Sequence, residues 1–440
     1  MRMNSILVVY SSIYKKARCW QLRNNCKNSG GKGTLFKNHG LHEKNRDMSI
    51  FPKYYVPRIY KFHPRSPLLK TKRMFGTVLI SAITLLHVYV FWRATSVPLL
   101  NSFFPKKYIA TTGILLWILF FAGRIYGHSG TGELARILEF AGMNWMAALF
   151  LIFVSLLAVD CVTGFGFILP RLAPSFRGFA LAAGVILSVI ALVQGLRPPV
   201  IQNYEVEMPG LPVALNGTVI IAMSDLHIGS LLNKQWLENR IIQVQAEQPD
   251  LVVLLGDIFE GHGQPLDEML PILRRLSAPL GVWAVNGNHE NHGHDVPSLM
   301  EDAGFQILRN RWAEVTPGLI LAGVDDLTAI RRSGKESDIV SKTLADRPPA
   351  TTIFLTHTPW QYETVARAGV KLMLSGHTHE GQIWPFNYLV KHYYPLLGGR
   401  YEIDNMPVIV CRGTGTWGPR MRLWRPSEIL RITLMKKVTV

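Results

Sequence analysis

Five short clusters of Asp, Asn and His residues in the second half of the chain have the composition of a metal site. The clusters are Ser224-Asp225-Leu226-His227, Gly256-Asp257, Asn286-Gly287-Asn288-His289-Glu290, Thr356-His357-Thr358-Pro359 and Ser375-Gly376-His377-Thr378-His379. Their carboxylate, amide and imidazole groups are ligands that divalent metals of intermediate hardness accept, and none of the clusters contains cysteine. The seven candidate ligands are Asp225, His227, Asp257, Asn288, His357, His377 and His379. Seven ligands exceed what one tetrahedral ion binds, so they predict two ions that share a bridging carboxylate.

A predicted strand precedes each cluster. The five strands are Thr218–Met223, Leu251–Leu255, Gly281–Val285, Thr351–Leu355 and Lys371–Leu374. Because the carboxyl ends of the strands in an open α/β sheet share one edge, we expect the five clusters to meet there. Asp225 with His227, and His377 with His379, are spaced so that both members of a pair point the same way in extended backbone.

The alternation of strands with amphipathic helices indicates an α/β domain over residues 197–440. The helices are predicted at Lys234–Gln248 and Leu266–Leu276. Later apolar runs lack helices between some of them, which predicts antiparallel additions and a second sheet. These runs are Leu319–Val324, Pro407–Cys411 and Ile429–Leu434. A region of about 240 residues can bury a large core, so we assign the chemistry to it.

Residues 74–196 contain four long stretches without charged residues. They are Met74–Trp92, Tyr108–Gly123, Phe140–Val159 and Gly178–Leu196. Each approaches the ~17–25 residues that a helix needs to cross a bilayer, and each is apolar all round rather than on one face. The sequence therefore predicts four transmembrane helices. His87 lies inside the first, where a lone imidazole is more often a packed interhelical hydrogen-bonding group than a proton relay.

The basic charge of the chain is concentrated before residue 74. The formal net charge is +17, and residues 1–73 contain 17 Lys and Arg against Glu43 and Asp47. The remainder has 30 basic and 28 acidic residues, so we do not expect nucleic acid as a partner of the main body. We predict that residues 1–73 form a disordered tail, with Met48 and Met74 as alternative translation starts.

The predicted topology places both ends of the chain on the same side of the membrane. Nine Lys and Arg flank the helix ends on the tail side and five flank the other, which favours a cytoplasmic carboxyl-terminal domain. A start at Met74 would leave three against five and reverse the inference.

The motifs Asp225-x-His227, Gly256-Asp257, Gly287-Asn288-His289-Glu290, His357 and Gly376-His377-x-His379 resemble the motif set of the calcineurin-like metallophosphoesterases. With four preceding helices, the layout is similar to that of the transmembrane members of this family. The resemblance implies a two-sheet β-sandwich flanked by helices, with a binuclear metal centre. It implies that the first ion is held by Asp225, His227 and His379, the second by Asn288, His357 and His377, and that Asp257 bridges the two.

The resemblance also implies that His289 is the acid that protonates the leaving oxygen. Two ions would lower the pKa of a shared water, and the hydroxide would attack phosphorus in line. Glu260 stands where many relatives carry Asp, and we expect that difference to have little consequence. The expected activity is a membrane-anchored phosphoester hydrolase that uses Mn, Fe or Zn, on a monoester or a diester. The alternative is a metal-loaded, membrane-anchored binding or regulatory module without turnover.

An aromatic stretch follows the last cluster directly. It covers Ile383–Val390 and continues to Tyr393-Tyr394. Aromatic clusters beside a sheet usually pack in the core, which favours a core strand and loop. The alternative is contact with acyl chains or the membrane interface, where aromatic residues gather; that would suit a lipid-linked phosphate.

Overall fold

The fold was analysed in a computed structural model that describes residues 67–128, 130–260, 266–290, 296–332 and 338–437. Two compact units divide the chain, Met1–Leu79 and Ile80–Val440. Most of the predicted tail, residues 1–66, lies outside the described residues. The first described helix begins at Pro67, before the predicted boundary at Met74.

Four long apolar helices come first in the described chain. Their bounds are α1 Pro67–Ala94, α3 Lys106–Ala122, α4 Glu133–Val162 and α5 Ala173–Leu196, with a short α2 at Pro98–Phe103 and a π-helical turn at Gly123–Gly127. Each predicted apolar stretch lies within one of them, the second ending at the first residue of the π-helical turn. All four are long and apolar enough to cross a membrane.

Small residues and buried polar groups join these helices. The backbones of α3 and α4 approach closely at Gly142, where a Cβ atom would lie 2.9 Å from the carbonyl oxygen of Leu119. Trp145 of α4 donates a 2.8 Å hydrogen bond to Nε2 of His87. The prediction that His87 forms a packed interhelical hydrogen bond is therefore confirmed.

A buried carboxylate near the end of α4 pairs with two guanidinium groups. The Oδ1 atom of Asp160 lies 2.8 Å from Nε of Arg177, and its Oδ2 atom lies 2.6 Å from Nε of Arg93. Tyr89 also donates a 2.5 Å hydrogen bond to Oδ2. Three helices, α1, α4 and α5, are thus linked through one side chain.

Residues from Val200 onward form two six-stranded sheets. The strands are β1 Val200–Met208, β2 Val219–Met223, β3 Leu251–Leu254, β4 Val282–Ala284, β5 Gln306–Ile307, β6 Arg311–Thr316, β7 Leu319–Gly323, β8 Thr351–Leu355, β9 Leu372–Ser375, β10 Gly399–Ile403, β11 Met406–Val410 and β12 Glu428–Lys436. The first sheet has the order β1-β12-β2-β3-β4-β5, and the second has the order β10-β11-β9-β8-β7-β6. Strands β2 to β5 pair in parallel, and so do β7, β8, β9 and β11. Three pairs of the described strands are antiparallel: β6 with β7, β10 with β11, and β12 with β2.

Helices accompany both sheets. They are α6 Lys234–Ala246, α7 Leu270–Leu273, α8 Val296–Asp302, α9 Leu327–Arg332, α10 Ile339–Leu344, α11 Tyr362–Arg367 and α12 Phe386–Tyr393. One core lies between the sheets, where Val253 packs with Leu321 and Ile353. A second covers the first sheet with the apolar side of α6, including Leu237 and Ile241. The predicted class, a two-sheet sandwich flanked by helices and preceded by an α-helical region, is confirmed.

The five strands before the candidate ligands agree with their predicted bounds to within one residue at each end. The predicted helix at Leu266–Leu276 is shorter, a 3₁₀ turn at Leu266–Met269 followed by α7, in which Pro271 cannot donate a backbone hydrogen bond. The expectation that all five strands share one sheet edge is wrong. Three of them belong to the first sheet and two to the second, so the ligands meet across the sandwich.

Candidate metal centre

Every predicted site residue lies in a loop that follows a strand of the sandwich. Asp225 and His227 follow β2, Asp257 follows β3, Asn288 and His289 follow β4, His357 follows β8, and His377 and His379 follow β9. The central strands of each sheet run parallel, so their carboxyl ends lie on the same side and deliver these loops together.

Asp225, His227 and His379 form one group of converging donor atoms. The Nε2 atoms of His227 and His379 lie 3.2 Å apart. The Oδ1 atom of Asp225 is 3.3 Å from Nε2 of His379 and 3.9 Å from Nε2 of His227. All three side chains are buried.

Asp257, His357 and His377 form a second group. Nε2 of His357 lies 3.2 Å from Oδ2 of Asp257 and 3.0 Å from Nδ1 of His377. The same carboxylate oxygen of Asp257 lies 3.9 Å from Nε2 of His227, which belongs to the first group. Asp257 therefore lies between the two groups, as a bridging carboxylate would.

His289 stands at the edge of this arrangement. Its Nε2 atom is 3.9 Å from Oδ2 of Asp257, and its backbone N–H donates a 2.8 Å hydrogen bond to Oδ1 of the same residue. The side chain is partly exposed, whereas that of Asp257 beside it is buried. It can therefore reach a group that enters from solvent.

Five of the candidate ligands adopt left-handed backbone conformations. Their φ angles are 55° for Asp225, 46° for His227, 51° for Asp257, 72° for His377 and 49° for His379. Non-glycine residues avoid this region, at a cost of order 1–3 kcal/mol each, and such residues cluster at functional sites. The loops hold these side chains in place against the local backbone preference.

Close backbone contacts require glycine beside the ligands. A Cβ atom on Gly256, whose φ is +89°, would lie 2.6 Å from the backbone nitrogen of Gly287 and 2.8 Å from Nδ1 of His357. Any side chain here would separate the loops after β3, β4 and β8.

The donor set fits divalent cations. The Oδ1 atoms of Asn288 and Asp225 are buried and have no hydrogen-bond partner among the described residues. Nδ1 of His227 faces Oε2 of Glu260 at 2.7 Å, and Nδ1 of His357 faces the carbonyl oxygen of Leu255 at 2.8 Å. Because these acceptors fix a proton on Nδ1, both Nε2 lone pairs point into the centre beside carboxylate oxygens. Cations would satisfy oxygens and nitrogens that otherwise repel one another.

The two central carboxylates stay ionised despite their burial. Burial alone would raise the pKa of Asp225, but the nearby imidazole of His379 outweighs it and holds that pKa below its usual value. Burial likewise opposes ionisation of Asp257, whose pKa is held well below normal by the imidazole of His357. The centre therefore carries the negative charge that cations require.

The pKa values of two imidazole groups in the centre shift in opposite directions. Burial lowers the pKa of His227, but the Glu260 carboxylate outweighs this effect and raises the pKa to about 9. Burial and the neighbouring charge of His357 lower the pKa of His377 to about 4. Metal ions and protons compete for such nitrogens, because an imidazole must give up a proton to bind a metal.

Three residues that support the centre were missed or undervalued by the sequence analysis. Glu260, where only the difference from Asp was expected to have little consequence, contacts Nδ1 of the candidate ligand His227 and lies 3.7 Å from Nδ1 of the candidate acid His289. Glu290 accepts backbone hydrogen bonds from Asp257, Ile258, Phe259 and Gly287, which ties the loops after β3 and β4 together. The hydroxyl of Tyr394 lies 2.9 Å from Nε2 of His377.

The preferred interpretation of the aromatic stretch, a core strand and loop, is wrong. Ile383 is buried, but residues Phe386–Tyr393 form the helix α12, and none of its eight described residues is buried. The apolar content alone predicted a core; the fold shows that most of the apolar side chains of this helix are exposed.

Two mixed sheets with flanking helices and converging Asp, Asn and His donors define a metal-binding hydrolase fold of the calcineurin-like type. The sequence profile described as "Calcineurin-like phosphoesterase" matches residues 218–381, from the start of β2 to the last ligand loop. The chain belongs to this family.

Curated relatives agree with the assignment. The "Transmembrane protein with metallophosphoesterase domain" is 30% identical over 272 residues in Bos taurus and 31% identical over 276 residues in Danio rerio, covering 58% and 59% of this chain. The chain spans 61% and 63% of the length of these two relatives. An "Uncharacterized metallophosphoesterase" of Aquifex aeolicus is 32% identical over 252 residues, 54% of this chain and 92% of that protein.

Proposed function

We propose that this protein is a membrane-anchored, two-metal phosphoester hydrolase. The observation that carries the proposal is the convergence of six Asp and His ligand candidates from both sheets, with Asp257 between the two groups. The seventh candidate, Asn288, has a buried Oδ1 atom without a hydrogen-bond partner among the described residues. Asp225, His227 and His379 would hold one ion, Asn288, His357 and His377 a second, and Asp257 would contact both. When bound, the ions lower the pKa of a water and neutralise charge on the phosphate oxygens.

The protein itself contributes orientation and a proton. Glu260 and the carbonyl oxygen of Leu255 fix the tautomers of His227 and His357, so that both Nε2 atoms face the centre. Nε2 of His289 faces the Asp257 side, where it would donate a proton to the oxygen that leaves phosphorus. Charge stabilisation and positioning account for most of phosphoryl-transfer catalysis, so no covalent nucleophile is needed.

Membrane anchorage rests on the four long apolar helices. We propose that all four cross the bilayer, which places the carboxyl-terminal domain on the same side as residue 67. The excess of Lys and Arg on that side supports a cytoplasmic domain.

The test measures turnover by the full chain in detergent. Wild-type protein with added Mn²⁺ or Zn²⁺ should hydrolyse p-nitrophenyl phosphate or bis-p-nitrophenyl phosphate, and chelation should abolish turnover. Asp257→Ala and Asn288→Ala should each lower kcat/KM at least 100-fold. Asp302→Ala, an exposed carboxylate on α8, is the matched control and should retain wild-type turnover.

The same assay separates the enzyme from a binding module without turnover. If His289 donates the proton, His289→Ala should lower kcat with little change in substrate affinity. The loss in kcat should be smaller for an ester whose leaving group has a low pKa, such as nitrophenolate, than for one whose leaving group has a high pKa. Wild-type turnover in Asp257→Ala and Asn288→Ala would refute the assignment.

A further inference from the structure

Exposed aromatic side chains stand in helix α12 and in the segment just before it, directly after the last candidate ligand loop. The aromatic surface consists of Trp384, Phe386, Tyr388, Leu389, Tyr393 and Trp417, all exposed. Tyr388 and Tyr393 expose 67% and 65% of their surface. Trp417 joins the other five through the side chain of Gln382, which bonds to both its backbone N–H and its carbonyl oxygen. Apolar exposure on this scale marks an interaction surface rather than a solvated one.

The level at which α12 contacts α4 indicates what lies against the aromatic surface. The ring of Phe386 packs edge-on against Phe150 of α4, with 6.0 Å between centroids. Hydrocarbon about 30 Å thick covers about 20 residues of a helix, and any 20 consecutive residues of the 30-residue α4 include Phe150. Phe150 therefore lies in the hydrocarbon layer wherever that layer sits along α4. Phe386 reaches the same depth.

Neighbouring contacts place the rest of this region against the membrane helices. Ile383, Met421 and Leu423 form one apolar cluster with Leu151 of α4 and Ala191 of α5. The backbone N–H groups of Arg422 and Trp424 donate 2.9 Å hydrogen bonds to the carbonyl oxygen of Ala191 and to Oε1 of Gln194. The segment that bears the aromatic surface is thus fixed to two membrane helices rather than free to turn away.

The chemistry of α12 matches a lipid interface. Tyr388, Leu389 and Tyr393 give it an apolar side, and Lys391 and His392 stand exposed in its last turn. Aromatic rings gather at the headgroup level of membranes, and cationic side chains there pair with anionic headgroups.

One short segment of the chain connects the metal centre to the aromatic surface. The 3₁₀ turn His379–Gly381 begins at a candidate ligand, and Gly381 contacts the backbone of Asn387 in α12 so closely that a Cβ atom would not fit. Tyr394, the residue after α12, reaches Nε2 of His377 at 2.9 Å.

A second contact joins α4 to a loop next to the metal centre. Ser230, three residues after His227 in the chain, donates a hydrogen bond to Oε2 of Glu139, and Nδ1 of His128 lies 2.8 Å from Oε1 of the same carboxylate. The loop after the candidate ligand His227 is thus tied to α4.

The geometry points to a phosphate ester of a bilayer lipid as the substrate, which reaches the metal centre along the aromatic surface without leaving the membrane. This inference rests on the proposed function. Hydrolysis consumes one water: its oxygen forms a bond to phosphorus and it releases a proton to solvent, while the bond from phosphorus to the leaving oxygen breaks. The leaving oxygen takes a proton from His289, which regains one from solvent. The lipid product stays in the bilayer.

The first experiment measures depth and needs no activity. Tyr388→Cys is made in a background with Cys19, Cys26 and Cys161 replaced by serine, labelled with bimane, and reconstituted into phosphatidylcholine vesicles containing lipids with nitroxide on the acyl chain. The label should be quenched at least threefold more than the same label at Ile242→Cys, an exposed apolar position on α6. Equal quenching would overturn the membrane contact.

The second experiment measures substrate preference in nanodiscs that contain phosphatidic acid or phosphatidylglycerol, against p-nitrophenyl phosphate or its diester in solution. Tyr388→Glu with Leu389→Glu should lower the ratio of lipid to soluble kcat/KM at least tenfold. Val213→Glu with Ile242→Glu adds the same charges at exposed apolar positions elsewhere and should leave the ratio unchanged.

The outcomes separate this inference from the proposed function. Turnover of soluble esters but of neither lipid overturns the lipid substrate and leaves the hydrolase standing, as does an unchanged ratio in the α12 variant. Absence of turnover on every ester overturns both, and the quenching result then reports on the membrane contact alone.

Discussion

His227 shows how one side chain is prepared for a cation by its neighbours. Its Nδ1 atom is held by Glu260, so Nε2 faces the Nε2 atom of His379 and the carboxylates of Asp225 and Asp257. His227 could be predicted as a candidate ligand because its cluster directly follows a predicted strand. Its contact with Glu260 could not be predicted, because the two residues lie 33 positions apart in the chain and only the fold brings them together.

Replacing the supporting carboxylate should weaken metal binding without removing a ligand. We expect Glu260→Gln to lower metal affinity about 10–100-fold, because groups that orient a ligating histidine contribute on that scale. Competition with a chromophoric chelator measures the affinity. Glu402→Gln, which removes an exposed carboxylate from β10, is the matched control and should bind metal as the wild type does. Equal affinity in both variants would show that Glu260 has no positioning role.

The bounds of the strands could be predicted better than what each helix packs against. A buried strand is a short β-branched run, and β2, β3, β4, β8 and β9 could be placed from that signal. Helix α12 could not, because an apolar segment has the same composition whether it packs in a core or faces lipid. The division of the strands between two sheets also depends on long-range pairing that local sequence does not encode.

Helices α1, α4 and α5 depend on Asp160 for their packing. Asp160→Asn would leave Arg93 and Arg177 buried without their counter-charge, and breaking a buried pair in this way costs about 3–5 kcal/mol. We expect a clear fall in the apparent melting temperature of the full chain in detergent.

The exposed pair of Glu133 and Arg136 on α4 provides the comparison for Asp160. Glu133→Gln removes one charge from the same helix where water screens it, so the melting temperature should barely change. A similar shift in both variants would mean that the buried position of Asp160 has no special effect.

At the scale of the whole molecule, the fold joins an apolar helical region to a metal-binding sandwich in one compact unit from Ile80 onward. Both parts could be predicted from the sequence, because long apolar helices and strand-end clusters of Asp, Asn and His have strong local signals. Their mutual contacts, such as Phe150 with Phe386 and Glu139 with Ser230, carried no such signal. Those contacts are what link the proposed chemistry to the bilayer.

The metal content of the purified protein shows whether the candidate ligands hold two ions. Full-length protein is purified in detergent, reconstituted separately with Mn²⁺, Fe²⁺ or Zn²⁺, freed of excess ion and examined by inductively coupled plasma mass spectrometry. We predict two transition-metal ions per folded wild-type chain and no more than one in Asp257→Ala. If a folded wild-type chain retains no stoichiometric metal after reconstitution with all three ions, the candidate ligands do not form a metal centre.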